Sequence, residues 1–347
     1  MRFKFLCLLS GIVIPACLFQ VDVLEPQTSP IVGMTASLTN TMPSFTATLL
    51  PFPTDTPSVV PPSPAALSTF HPDSILPIVF SPGATSQLVV GSIGEGSRQT
   101  YSLNALQGQV MSVSILPEKP EQQGEFHLEI KDRDGLVLCP LPNLECLFWR
   151  GALPSTQEYL IEVGPPASGV YSMRLAINPP GTVSQMFAYP DPQGRYSLSA
   201  ADDFAPAYFR GAEVYKFPPD LTLQYIDTQQ YISTNLLEVY FLVGVSDDPG
   251  QVSNCTQPLS FGGPETILGE TMVSGIPFTK SEGGGVAAGN IYELVYYRAL
   301  HHGSCYEVTY FVHYGNIGAY APGAVTEFDR TALYQQLDEI LASLILK

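Results

Sequence analysis

Basic residues are scarce in this chain. Its 347 residues include 15 Lys and Arg against 32 Asp and Glu, a formal net charge of −17. Between Lys4 and Arg98 there is no Lys or Arg at all. A chain without a basic stripe repels phosphate backbones, which excludes nucleic acid as a partner. Long apolar runs are also missing. The N-terminal stretch Phe5–Ile14 falls short of the roughly 20 residues needed to cross a bilayer's hydrocarbon. Phosphate-loop chemistry is absent as well. Ser281–Asn290, "SEGGGVAAGN", has the glycines but not the Lys and Ser/Thr of a P-loop, and a flexible hairpin loop is expected there. No cofactor is expected.

What is present begins with a leader. Arg2 and Lys4 precede the apolar Phe5–Ile14, the pattern of a secretory signal over residues 1–16. Ile14-Pro15-Ala16-Cys17 resembles a bacterial lipobox, with Pro15 an unusual occupant of its middle position. That resemblance implies cleavage before Cys17 and a diacylglycerol on its thiol, hence a lipid anchor in the cell membrane facing the extracytoplasmic side. Residues 17–74 then form a Pro/Ser/Thr-rich linker. From Pro26 to Ser74 there are 10 Pro and 16 Ser or Thr in 49 residues. Such a segment cannot bury a core and extends as a semi-stiff spacer.

Alternation begins after the spacer, in a first folded region over 75–180. Phe126, Leu128 and Ile130 alternate with polar residues, as do Met111, Val113 and Ile115, then Tyr159, Ile161 and Val163, then Tyr171, Met173, Leu175 and Ile177. A period of two over short runs predicts half-buried strands, and the turns between them carry Gly and Asp. An antiparallel, jelly-roll-like β-sandwich of about eight strands is expected. Asp132-Arg133-Asp134-Gly135 lacks the remaining ligands of a calcium loop and is read as a hairpin turn. Gly83–Thr85, Tyr101–Gln109 and Leu153–Val163 resemble the bacterial pre-peptidase C-terminal family and the related inhibitors of g-type lysozyme. The resemblance implies a β-sandwich accessory or binding module, with lysozyme inhibition as a family activity.

The second folded region, 190–347, carries longer aromatic runs: Leu237–Val243, Ile291–Tyr297 and Cys305–Tyr314. They predict a broad antiparallel sheet with one packed face, marked by Val308, Tyr310 and Val312. After Asp329, a good N-cap, Leu333, Leu337, Ile340, Leu341 and Leu344 form one stripe, so a C-terminal amphipathic helix should cover the sheet in an α+β arrangement. Gly289–Glu293, Gly303–Glu307, His313 and Asn316–Tyr320 resemble an uncharacterised α+β domain of bacterial exported lipoproteins, and the order of sheet and helix is similar to PsbP-like folds.

The heptapeptide His301–Glu307, "HHGSCYE", has the residue types of a metal site or an activated thiol. Read as sequence, His301-His302-Gly303-Ser304 is a four-residue hairpin loop whose adjacent imidazoles point apart. Cys305 and His313, about 27 Å apart along one strand, are too distant to share an ion. Neither a catalytic nor a metal residue is assigned. Cys305 has a better use. Four cysteines follow Cys17, and of the three ways to pair them only Cys139–Cys146 with Cys255–Cys305 keeps each bridge within one folded region. In an exported protein such thiols oxidise. The expected function is therefore an envelope-anchored, surface-displayed binding or structural module that is not an enzyme. Cell-wall glycan or an envelope protein are its candidate partners, and no binding residues are assigned. The alternatives are a lysozyme inhibitor acting through the first region, or an exported hydrolase or metalloenzyme using His301, His302, Glu307 or His313.

Overall fold

A computed structural model describes residues 74–122, 125–139, 147–164, 168–181, 184–209, 211, 214–259 and 264–347. The leader, Cys17, the linker up to residue 73 and Cys146 lie outside the described residues.

Eight strands come first: β1 Ile75–Pro77, β2 Ser86–Ile93, β3 Gln99–Ala105, β4 Val110–Pro117, β5 His127–Lys131, β6 Phe148–Ala152, β7 Gln157–Gly164 and β8 Gly169–Asn178. They form two four-stranded sheets, ordered β1-β3-β7-β5 and β2-β8-β4-β6. The alternating apolar residues of both sheets point inward, so Met111, Val113, Leu128, Ile130, Tyr159, Ile161, Val163, Met173 and Leu175 are wholly buried in one core. All pairings are antiparallel except β1 with β3. No hairpin ties β1 to its neighbour, so its direction is free. The turn after β5 is closed by Asp132 itself, whose Oδ1 accepts the Leu136 N–H at 2.7 Å while Gly135 takes φ +86°.

The rest of the chain adds β9 Met186–Pro190, β10 Tyr196–Ala201, β11 Phe204–Pro206, β12 Leu221–Tyr225, α1 Thr228–Ser233, β13 Leu236–Ser246, α2 Pro249–Ser253, β14 Thr266–Val273, β15 Ile276–Ala287, β16 Asn290–His301, β17 Ser304–Gly315, α3 Arg330–Ala342 and β18 Ile345–Leu346. Seven of these strands make one sheet, β11-β12-β13-β17-β16-β15-β14, and β18-β10-β9 make a small one. Asp329 caps α3 by accepting the Ala332 N–H, and the helix buries Leu333, Leu337, Ile340 and Leu341 against Val308, Tyr310 and Val312. The molecule is thus mainly β with an α+β C-terminal part.

Two expectations are corrected. The large sheet does not have one packed face. Tyr240, Leu242, Leu294, Tyr296 and Phe311 form a second buried cluster on its other side, under Phe209 and Leu259. Strands covered on both faces read as continuous aromatic runs, and this is why alternation identified only half of their contacts. The glycine run is not a flexible loop either. Gly283, Gly284 and Gly285 lie within β15, paired with Leu294, Glu293 and Tyr292. A Cβ on Gly284 would come 2.2 Å from the Tyr292 carbonyl oxygen, so close backbone approach accounts for glycine there. The turn itself is only Ala288-Gly289, both with positive φ. That is the two-residue form whose twist matches the flanking strands.

Candidate functional site

The hairpin at His301 and His302 is equally tight. β16 runs to His301 and β17 starts at Ser304, leaving the two-residue turn His302-Gly303 with φ of +48° and +85° rather than a four-residue loop. The left-handed backbone at His302 breaks strand alternation, so the imidazoles do not point apart. They stack with centroids 3.9 Å apart. Slight burial and the neighbouring His302 ring hold the His301 imidazole below its ordinary pKa.

The other residues of that heptapeptide are engaged elsewhere. Cys305 is disulfide-bonded to Cys255, and both are buried. Glu307 turns to the second face of the sheet, where its Oε2 accepts Arg298 Nε at 2.5 Å and its Oε1 accepts the Lys216 N–H at 2.7 Å. His313 lies between Glu238 Oε2 and Asn290 Oδ1, 3.1 Å from each, and stacks on Tyr292. Cys139 is also disulfide-bonded. Among the described residues, no group of three or more His, Cys, Asp or Glu is placed to hold a metal ion.

Three polar clusters were not picked out from the sequence. The first is Arg298, only 1% exposed, clamped between Glu265 and Glu307 and lying 4.5 Å over the Tyr296 ring. The second lies on the sandwich, where Arg98, His127, Glu129, Glu162 and Gly164 line a cleft of about 150 Å³. Register builds it: His127 stands opposite Gly164, and Glu129 stands opposite Glu162. With no side chain at Gly164, Arg98 can lie along β7; a Cβ there would approach Arg98 Cγ to 3.3 Å. Two carboxylates directly across a strand pair repel each other unless bridged. Lys131 Nζ bridges them, 2.9 Å from Glu129 Oε2 and 3.2 Å from Glu162 Oε2, and Arg98 adds a contact of 3.3 Å to the same Glu162 oxygen. Burial works against charge on Glu129, but Lys131 prevails and holds that carboxyl below the usual range. The polar positions of β5 and β7 were legible as outward-facing, but their pairing required the register.

A third cluster joins the sandwich to the following region. Arg150 on β6 approaches Asp202 at 3.5 Å and Asp227 at 3.7 Å, and Phe148 packs against Tyr231. Asn178 donates to Asp202 Oδ2, and Gln336 of α3 donates to Asp203 Oδ2 at 3.0 Å. Asp202 Oδ1, Asp203 Oδ1 and Arg150 Nε have no hydrogen-bond partner among the described residues. Burial pushes the Asp203 carboxyl up to about 6; Arg150 opposes that rise and Asp202 adds to it. A folded-state pKa above the unfolded value means that folding takes up a proton as pH falls through that interval. The ionised form therefore costs stability above about pH 6, and the cost vanishes below about pH 4. Asp203→Asn should stabilise the protein by about 2 kcal/mol at pH 7.5 and by nothing at pH 4. Urea titrations at the two pH values measure this, and equal gains at both would contradict it.

No family model and no curated protein matches the chain. Among solved structures, the g-type lysozyme inhibitor PliG of Aeromonas hydrophila is 24% identical, covers 30% of this chain and 96% of its own, and superposes with a TM-score of 0.25. PliG of Salmonella Typhimurium is 22% identical over 30% of this chain and 96% of its own, with a TM-score of 0.24. The PsbP protein of the cyanobacterium Synechocystis is 12% identical, covers 48% of this chain and 95% of its own, and scores 0.26. These are partial likenesses, to inhibitors of g-type lysozyme and to a PsbP protein, at scores too low to carry a functional assignment.

Proposed function

We propose that this chain is an exported, membrane-tethered binding protein without enzymatic activity. The observation that carries this reading is the use to which the residues weighed for catalysis, His301, His302, Cys305, Glu307 and His313, are put. Cys305 is spent in a buried disulfide, Glu307 on Arg298, and His313 on Glu238 and Asn290, while His301 and His302 stack on each other at a hairpin tip. A nucleophile, base or metal ligand must instead face a substrate. The Cys255–Cys305 bridge suits an oxidising, extracytoplasmic space. The leader pattern and Cys17 supply the tether in this reading, and wall glycan or an envelope protein is the partner.

Mass spectrometry of the native protein tests the export half of the proposal. A diacylglyceryl adduct on Cys17 and no free thiol among Cys139, Cys146, Cys255 and Cys305 are expected; an unprocessed N-terminus with reduced thiols would overturn it. Metal analysis and hydrolase assays test the other half, and stoichiometric zinc or a turnover that fails on His313→Ala would overturn it.

A second reading, inhibition of g-type lysozyme through the sandwich, rests on the motif residues of Tyr101–Gln109 and Leu153–Val163. Tyr101, Leu103, Tyr159, Ile161 and Val163 of those motifs are core residues, so they mark a fold more than an inhibitory surface. The mature chain should leave peptidoglycan hydrolysis by g-type lysozyme unchanged; slowing at micromolar excess would favour the inhibitor reading.

A further inference from the structure

We propose that the cleft between Arg98, His127, Glu129 and Glu162 binds a single neutral sugar unit of a glycan. This deepens the binding-protein reading above and rests on it.

Local charge argues for the class of ligand. Two carboxylates, Glu129 and Glu162, are matched by two cations, Arg98 and Lys131, within contact distance. An anion entering the cleft meets the two carboxylates that line it; a cation meets the Arg98 guanidinium and finds both carboxylates already paired by Lys131, which does not line the cleft, so neither gains from the field. A neutral polyhydroxyl ligand gains from both halves, because each of its hydroxyls donates as well as accepts. The contacts of Arg98 and Lys131 to the two glutamates go to Oε2. Each carboxylate has further lone pairs with which to accept from neighbouring ring hydroxyls, in the strong charge-assisted form. Arg98 is 58% exposed at its side chain and His127 is exposed, so both can donate to ring oxygens or an acetamido carbonyl.

Size argues the same way. At about 150 Å³ the cleft is smaller than the several hundred cubic ångströms of a drug-sized site, which suits one sugar ring held at a time. Gly164 lines the cleft, and a side chain there would meet Arg98. A ligand with so few contacts binds weakly as a monomer, with Kd on the order of 1 mM. Many copies of the protein tethered along a polymeric glycan would bind it more tightly through avidity.

The experiment uses the mature chain, with N-acetylglucosamine, acetate and methylamine as probes in a ligand-observed NMR titration, and with purified peptidoglycan in a sedimentation assay. Gly164→Val fills the cleft, keeps every charge and places a good strand former on β7. Glu129→Gln removes one carboxylate at constant size. The expected result is sugar binding by the parent, loss of at least about tenfold in Gly164→Val and about three- to tenfold in Glu129→Gln, and no binding of acetate or methylamine. Unchanged thermal midpoints show that both variants are folded. Equal sugar binding by the parent and Gly164→Val overturns the cleft assignment, and preferential binding of acetate or methylamine overturns the ligand class. If the parent and Gly164→Val sediment equally with peptidoglycan, the cleft proposal fails while the binding-protein reading stands. If the parent binds neither sugar nor peptidoglycan, the glycan inference falls, and the wider reading then depends on the metal and hydrolase assays.

Discussion

Arg298→Met is expected to lower the unfolding free energy by about 3–5 kcal/mol. The guanidinium is 1% exposed and is the counter-ion of two carboxylates that are equally hidden. Its Nε donates to Glu307 at 2.5 Å, and both terminal nitrogens donate to Glu265. Methionine fills much of the same volume, so packing over Tyr296 changes little. What remains is two buried negative charges that have lost their ion-paired cation, with Lys216 acting on Glu307 from farther off, and burying an unpaired charge costs far more than a lost surface bridge returns. The pH dependence identifies the cause. Burial opposes ionisation of Glu265, but hydrogen bonds from Arg298 hold its carboxyl below the usual range, so its stabilising contribution is present above about pH 4.5 and is lost as pH falls. Burial raises the Glu307 carboxyl even with Arg298 beside it. Without Arg298 both groups rise, and the deficit should grow from pH 5 to pH 8. Urea denaturation measures it, and Glu265→Gln with Glu307→Gln in the Arg298→Met background should recover more than half. A deficit independent of pH, or no rescue, would show that the loss is one of packing.

Removing the Cys255–Cys305 bridge by a double change to alanine should cost about 4 kcal/mol, because the bridge closes a loop with a sequence separation of 50 residues. A local consequence should accompany the global one. Lys216 Nζ donates to the carbonyl oxygens of Asn254, of Cys255 at 3.0 Å and of Gln257 at 2.6 Å, so it ties down the segment that the bridge anchors. Burial, with Arg298 adding to it, lowers the Lys216 ammonium to about 8. Opening the segment admits water and should return that lysine toward its ordinary range. The pH at which Lys216 reaches half its maximal rate of amine-reactive labelling should then rise in the bridge-free protein, since the ammonium loses its proton only at higher pH. Unchanged labelling together with unchanged stability would mean that the bridge contributes nothing to this region.

Several elements were legible in the residues themselves. The alternation of Met111, Val113 and Ile115, and of Tyr171, Met173, Leu175 and Ile177, located strands whose inward side chains are buried. The stripe Leu333, Leu337, Ile340 and Leu341 located α3 and its buried side, and Asp329 located its cap. Turns were less legible. His302-Gly303 and Ala288-Gly289 are shorter than expected because a non-glycine residue adopts positive φ in each, which the neighbouring polar and glycine residues concealed. The second buried face of the large sheet was hidden too, since aromatic residues stood at both phases of the alternation.

Local periodicity by itself determined that this is a mainly β chain with a C-terminal helix, because side-chain direction along a strand or helix repeats with the backbone itself. Which polar groups meet was decided by tertiary structure alone. Glu129 faces Glu162, and Arg298 faces Glu307, only in one strand register. Glu265 reaches Arg298 from 33 residues away. A shift of one residue would turn each of those side chains to the opposite face, and nothing in the period of two chooses between registers; core closure does.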